Sequence, residues 1–164
     1  MSERLNVIND EIFATNPPQT LKIPQPNEAW FSSGLRFKCT GCGQCCTGAP
    51  GYVWVTELEA EKIAQYKNMP VDDFRRKYVR RVGDRDSLVE DSKTYDCAFL
   101  KDKKCQIYPV RPKQCRTFPW WQHNLQSEAE WNEAGKYCEG INHPDAPLVP
   151  AETVCQQLTE HEKK

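Results

Sequence analysis

Apolar and polar positions alternate along this chain in short bursts, so the elements they predict are short. Tyr52-Val53-Trp54-Val55 is a brief β-like run. Directly after it, Thr56 and Glu59 stand at the T-x-x-E spacing of a capping box, which satisfies free N–H groups at a helix start. The helix runs from Glu57 to about Tyr66 and places Leu58, Ile63 and Tyr66 near one face. Pro70 opens a second helix, with Asp72 and Asp73 in its first turn and Phe74, Tyr78 and Val82 on one side. Its other face carries Arg75, Arg76, Lys77, Arg80 and Arg81. Cys97-Ala-Phe-Leu and Cys105-Gln-Ile-Tyr read as two short strands joined by the polar turn Lys101–Lys104. Pro112 starts a helical turn that presents Cys115, and Pro119 limits it. Ser127 and Glu130 form another capping box, starting a helix that delivers Cys138.

Outside this region the pattern fades. Residues 1–36 are polar and proline-bearing and are expected to form an arm that packs through Trp30 and Phe31. Residues 141–164, with Pro144, Pro147, Pro150 and a charged end, are expected to be an extended tail. The domain proper is then 37–140. It is expected to be a small, irregular, metal-stabilised α+β domain with short helices and a small β-hairpin.

Composition sharpens that expectation. Of 164 residues only 38% are hydrophobic, even with tyrosine and cysteine counted, and twelve prolines stand against eight glycines. A core this thin calls for a staple, and nine cysteines can supply one as disulfides or metal sites. No stretch approaches the roughly 18 apolar residues of a membrane span. The first residues carry Glu3, Asp10 and Glu11 with no apolar centre, unlike a secretory signal. The expected location is therefore the cytoplasm, where thiols stay reduced and clustered cysteines read as metal ligands or redox centres.

The cysteine spacing agrees. Cys39, Cys42, Cys45 and Cys46 form C-x2-C-x2-C-C; Cys97, Cys105, Cys115 and Cys138 follow at wide intervals, and Cys155 stands apart. Four cysteines within eight residues have no packing rationale. Gly41, Gly43 and Gly48 let the same loop turn tightly and bring backbone N–H groups near sulfur. Neighbouring side chains generally diverge, so Cys45 and Cys46 are expected to serve different metals or different parts of one cluster. The run C-x2-C-x2-C matches the first three ligands of ferredoxin-type iron–sulfur binding. The fourth ligand of that pattern is missing before Pro50 and must come from a later cysteine. Eight thiolates can equally fill two tetrahedral zinc sites. Spacing leaves iron and zinc both open.

Together, Cys39-Thr-Gly-Cys42-Gly-Gln-Cys45-Cys46, Cys97-x-Phe-Leu, Cys105-x-Ile-Tyr, Arg111-Pro-x-x-Cys115-Arg-x-Phe-Pro119 and Cys138 make the chain resemble a known family. It resembles the YkgJ-type cysteine-cluster proteins, small bacterial proteins described as zinc- or iron-chelating. The resemblance spans about residues 37–140 and implies that Cys39, Cys42, Cys45, Cys46, Cys97, Cys105, Cys115 and Cys138 are the metal ligands. A related motif occurs in a flagellin lysine methylase with an iron–sulfur association, which points toward iron. The resemblance implies nothing for the arm or for Cys155.

Charge adds a neighbour to the thiols. Residues 75–116 hold thirteen Lys/Arg and six Asp/Glu, a net of +7 in a chain whose total is −1. Cations there can offset thiolate charge, and Arg111 and Arg116 flank Cys115 as candidates to donate hydrogen bonds to metal-bound sulfur. A surface for a protein or nucleic-acid partner is the alternative use of this charge. Trp120 and Trp121 are expected to pack in the core or shield the metal from water. His123 and His143 lack ligand-like spacing to a cysteine, and His161 sits in the charged end. No G-x-S-x-G, phosphate-binding loop, H-E-x-x-H or dinucleotide fingerprint is present, so independent catalysis is not expected. Three functions stay in view: an iron or iron–sulfur protein with a redox or accessory role, a structural zinc module, and a cluster-dependent modifying enzyme.

Overall fold

The computed structural model describes residues 23–48 and 50–162. Expectations that fall on residues 1–22 lie outside the described residues. In chain order the elements are β1 (Leu35–Arg36), β2 (Val53–Trp54), α1 (Glu57–Tyr66), α2 (Val71–Tyr78), β3 (Val79–Val82) and β4 (Arg85–Leu88). They continue as β5 (Leu100–Lys101), β6 (Lys104–Cys105), α3 (Lys113–Arg116), α4 (Glu128–Gly135), β7 (Leu148–Val149) and α5 (Ala151–Glu162). Among the described residues the strands form three small antiparallel sheets, ordered β1-β7, β2-β4-β3 and β5-β6, interspersed in sequence with short helices. The class is small α+β.

Local chemistry accounts for the boundaries. The Thr56 capping box forms in full, with Glu59 N–H bonded to Thr56 Oγ1 and Thr56 N–H bonded to Glu59 Oε2 at 2.9 Å. Of the second box, Ser127 Oγ accepts from Glu130 N–H at 3.2 Å. The second helix stops at Tyr78, so Val82, expected on its apolar side, lies in β3 instead. β-Branched Val79 and Val82 favour the pleated surface, and Gly83 at φ 58 turns the chain directly into β4. The predicted hairpin is shorter than the sequence suggested. β5 and β6 pair Leu100 with Cys105 across Asp102-Lys103, both with left-handed φ, as a two-residue type I′ turn requires.

Two apolar clusters hold these elements. One joins α1, α2 and the three-stranded sheet through Ile63, Phe74, Leu88, Phe99 and Ile107. The other brings Phe31 and Leu35 from the start of the described chain against Trp120, Trp131, Val154 and Leu158. Trp120 and Trp131 stack there with centroids 5.4 Å apart. The arm therefore does pack through Phe31, while Trp30 stays more exposed and anchors by donating Nε1–H to the Leu125 carbonyl at 2.8 Å.

The end of the chain departs from expectation. It forms α5 rather than an extended tail, because Pro150 precedes a run whose Ala151, Val154, Cys155 and Leu158 bury one stripe. Cys155 is thus a core residue, its thiol donating to the Pro24 carbonyl at 3.4 Å. Among the described residues, no helix is long and apolar enough to cross a membrane.

Candidate metal centre

The C-x2-C-x2-C-C loop is pinned at both ends and lies on the surface in between. Lys38 N–H donates to the Gly140 carbonyl at 3.1 Å, and the Cys46 carbonyl accepts from Cys97 N–H at 2.8 Å. Gly43, at φ 77, leads into a single turn of 3-10 helix over Gln44–Cys46. A Cβ on Gly43 would stand 2.6 Å from the Lys103 carbonyl, so only glycine lets the loop lie against the β5–β6 turn. That approach sets Cys45 and Cys46 beside Cys105.

The later cysteines arrive on separate supports. Cys97 bridges to Glu90 beside the sheet, and Cys105 closes the β5–β6 hairpin. Cys115 sits in α3, which is tied down from two directions. Glu59 Oε1 accepts from Lys113 N–H at 2.6 Å. Gln114 Oε1 accepts from Trp54 N–H at 2.8 Å, and its amide donates to the Tyr52 carbonyl at 3.0 Å. Sequence reasoning missed Gln114, which stitches α3 to β2. Cys138 follows α4, with its N–H on the Ala134 carbonyl at 3.0 Å.

These supports bring the thiols into one neighbourhood. Cys45 and Cys46 sulfurs are 3.9 Å apart, not diverging as their adjacency suggested. That separation is close to the edge of a tetrahedral thiolate site, about 3.8 Å for a metal–sulfur distance of about 2.3 Å. The two thiols close this distance across a single turn of 3-10 helix. Cys46 also lies close enough to Cys105 for each thiol to act on the other's proton. Cys97 and Cys115 lie within electrostatic reach of Cys45 and Cys105, and Cys138 within reach of Cys42 and Cys45. Cys39 hydrogen-bonds the Tyr108 hydroxyl at the edge of the group. Among the described residues, no three His, Cys, Asp or Glu side chains already stand as a closed metal-holding set. All nine cysteines are free thiols.

The electrostatics separate the thiols into two kinds. The hydrogen bond from Cys46 holds Cys45 down to about 7 and Cys105 down to about 6, with Arg111 pulling both the same way. Cys46, the donor between them, is pushed up. Burial pushes Cys115 up to about 12 and also raises Cys97 and Cys138. Cys45 and Cys105 are therefore the thiols held lowest, among partly buried partners that are held higher.

Arg111 lies within electrostatic reach of Cys45, Cys105 and Cys115. Its guanidinium lies 3.6 Å from the centre of the Tyr108 ring, and its Nε is buried without a hydrogen-bond partner. Arg116 instead turns away, donating to the Arg111 carbonyl at 3.1 Å and facing Glu59. The histidines stand elsewhere. His161 meets Thr117 Oγ1 at 2.9 Å and stacks on Trp121, His123 also packs on Trp121, and His143 accepts from Asp145 N–H at 3.1 Å. Several arginines of the basic segment are paired: Arg75 and Arg81 with Asp86, Arg76 with Asp73, and Arg80 with Glu90.

Residues 38–139, more than half of the chain, match the model of the CxxCxxCC family, described as a "putative zinc- or iron-chelating domain". The chain belongs to the CxxCxxCC family. The match begins one residue before the first cysteine of the loop and ends one residue after Cys138. An uncharacterized protein of the archaeon Methanocaldococcus jannaschii, MJ0661, is 37% identical over 94 residues. Those residues cover 55% of this chain and 48% of that protein, so the chain spans about half the length of this curated relative. No solved structure matches. CxxCxxCC membership supports metal binding, without deciding between zinc and iron.

Proposed function

We propose that this CxxCxxCC protein binds iron, as an iron–sulfur cluster or thiolate-bound iron, and serves a redox or accessory role in the cytoplasm. Cys39, Cys42, Cys45, Cys46, Cys97, Cys105, Cys115 and Cys138 are the proposed ligands. The observation that carries the reading is the convergence of thiols from separate segments, with Cys45 and Cys46 at an edge length suited to one metal. The donor set is soft sulfur, which suits iron–sulfur chemistry or zinc and disfavours magnesium or calcium. When bound, the metal would supply a redox centre and draw the remaining thiols into their deprotonated form. Arg111 fits the same reading. Its orphaned buried N–H is the kind of donor that a metal-bound thiolate accepts from, and its charge offsets the thiolates. Arg116 acts one step further out by holding the Arg111 carbonyl. Metal binding would then rigidify the loop and the β5–β6 hairpin.

The second reading, a structural zinc module, shares the thiol geometry. A cheap measurement separates the two. Protein isolated without oxygen should be brown, with visible charge-transfer absorption, an EPR signal in one oxidation state, and iron by elemental analysis. A colourless protein with stoichiometric zinc would overturn the iron reading and leave the zinc module standing.

A further inference from the structure

A cleft of about 250 Å³ runs between the thiols and the three-stranded sheet. Cys45, Cys46, Cys97 and Cys115 line one part of it, and Tyr52, Tyr95, Phe118 and Trp121 line another. Its exposed surface is mainly apolar, and its volume suits about ten non-hydrogen atoms, at the small end of ligand pockets.

Tyr95 is held there at a cost. Its φ is 59, a left-handed conformation that disfavours a residue with a bulky side chain. The turn around it enforces that conformation. Asp91 Oδ1 accepts from the N–H groups of Lys93 and Thr94 at 2.8 and 2.9 Å, and Tyr95 N–H donates to the Asp91 carbonyl at 2.9 Å. Strain that places an aromatic ring beside a candidate metal centre calls for a functional explanation, and packing does not supply it, since Tyr95 is 39% exposed.

The charges then narrow the ligand. Among the described residues, no Lys, Arg or His lines the cleft, so an anion meets no cationic side chain in its wall. Glu90 is the carboxylate in the lining, and it is already engaged. Its Oε1 pairs with Arg80 at 3.1 Å and its Oε2 accepts from Gly51 N–H at 3.2 Å. Glu90 thus offers a cation no free carboxylate, while ring faces and edges are plentiful.

We propose that this cleft is a binding site for a small uncharged aromatic molecule, which would lie between the Tyr95, Phe118 and Trp121 rings and face the metal-bearing sulfurs. The inference deepens the metal-centre reading and rests on it, because the molecule would face the sulfurs proposed to hold the metal.

Equilibrium dialysis of the full-length, metal-loaded protein against three probes of matched size tests it. The probes are 2-phenylethanol, 3-phenylpropionate and 2-phenylethylamine, with metal content measured on the same sample. The neutral alcohol should bind at least tenfold more tightly than the carboxylate and no more weakly than the amine. Tyr95→Gly should cost the alcohol at least tenfold while leaving metal content and thermal midpoint in place, because glycine adopts φ 59 without strain. Metal present with no alcohol binding, with equal carboxylate binding, with tighter amine binding, or with an unaffected Tyr95→Gly variant would overturn the cleft assignment alone. A sample that holds no metal would overturn the metal-centre reading and this inference with it.

Discussion

The helix–sheet cluster around Phe74 and the cysteine loop differ in how each is held. Around Phe74, side chains from α1, α2, β4 and the segment before β5 are excluded from water, with Ile63 and Phe74 both at 0% exposure. In the loop from Lys38 to Pro50, no described residue is buried, and the backbone is fixed by a few hydrogen bonds and one tight glycine contact. The first region draws on the hydrophobic effect and can stand without an ion. The second has little apolar area to bury, so on the proposed reading bound metal would supply the order it gains. The composition suggested one thin core that metals complete. The structure instead shows two apolar clusters, with Cys97 and Cys105 packed against one, Cys138 against the other, and the C-x2-C-x2-C-C loop outside both.

Breaking the two regions separately should therefore give opposite signatures. Phe74→Ala leaves a cavity in a closed cluster and should cost about 3–5 kcal/mol in denaturant unfolding, with metal content per folded molecule unchanged. Cys42→Ser should do the reverse, lowering metal content while moving the stability of the metal-free chain by less than about 1 kcal/mol, since Cys42 lies outside both apolar clusters. Equal stability losses from the two changes would erase the distinction.

Chelation applies the same contrast within one molecule. Hydrogen exchange after metal removal should accelerate across residues 38–48 and the β5–β6 hairpin, while amides of α1 and α5 keep their protection. Loss of protection everywhere would mean that the apolar clusters depend on the metal. Gly43→Ala attacks the junction. The left-handed φ and the Lys103 carbonyl 2.6 Å away should together cost about 1–2 kcal/mol or more and weaken metal binding, read as faster metal release to a chelator.

The smallest effects are electrostatic. Arg111→Met should shift the pH profile of Cys45 and Cys105 alkylation upward in the metal-free protein, slowing the reaction roughly twofold at pH 7. His123 and His161 are both depressed by burial, so the folded chain keeps them neutral below the pH at which the unfolded chain protonates. Their contribution is complete above the ordinary histidine value of about 6.5 and declines as pH falls below it. A thermal midpoint that drops between pH 7 and pH 5, less so in His161→Gln, is the expected result.

What the sequence made legible was what local chemistry decides. The Thr56 capping box set the start of α1, and the spacing of the cysteines marked the loop, the hairpin and α3. Three features stayed hidden, two of them because they depend on distant partners. The stripe Ala151, Val154, Cys155 and Leu158 becomes a buried face only because Phe31 and Trp120 return to meet it, and the prolines before it suggested an unstructured end. Gln114 reads as one polar residue between lysine and cysteine until Trp54 and Tyr52 offer it backbone partners 60 and 62 residues away. Cys45 and Cys46 come together through a turn that spacing cannot reveal. The positions of the cysteines were readable, and the way they face each other was not.

X-ray absorption at the metal edge of anaerobically purified protein tests the central claim most directly. The account predicts a first shell made of sulfur at about 2.3 Å. A shell dominated by nitrogen or oxygen at about 2.0–2.1 Å would contradict it, because the metal would then sit away from the converging thiols.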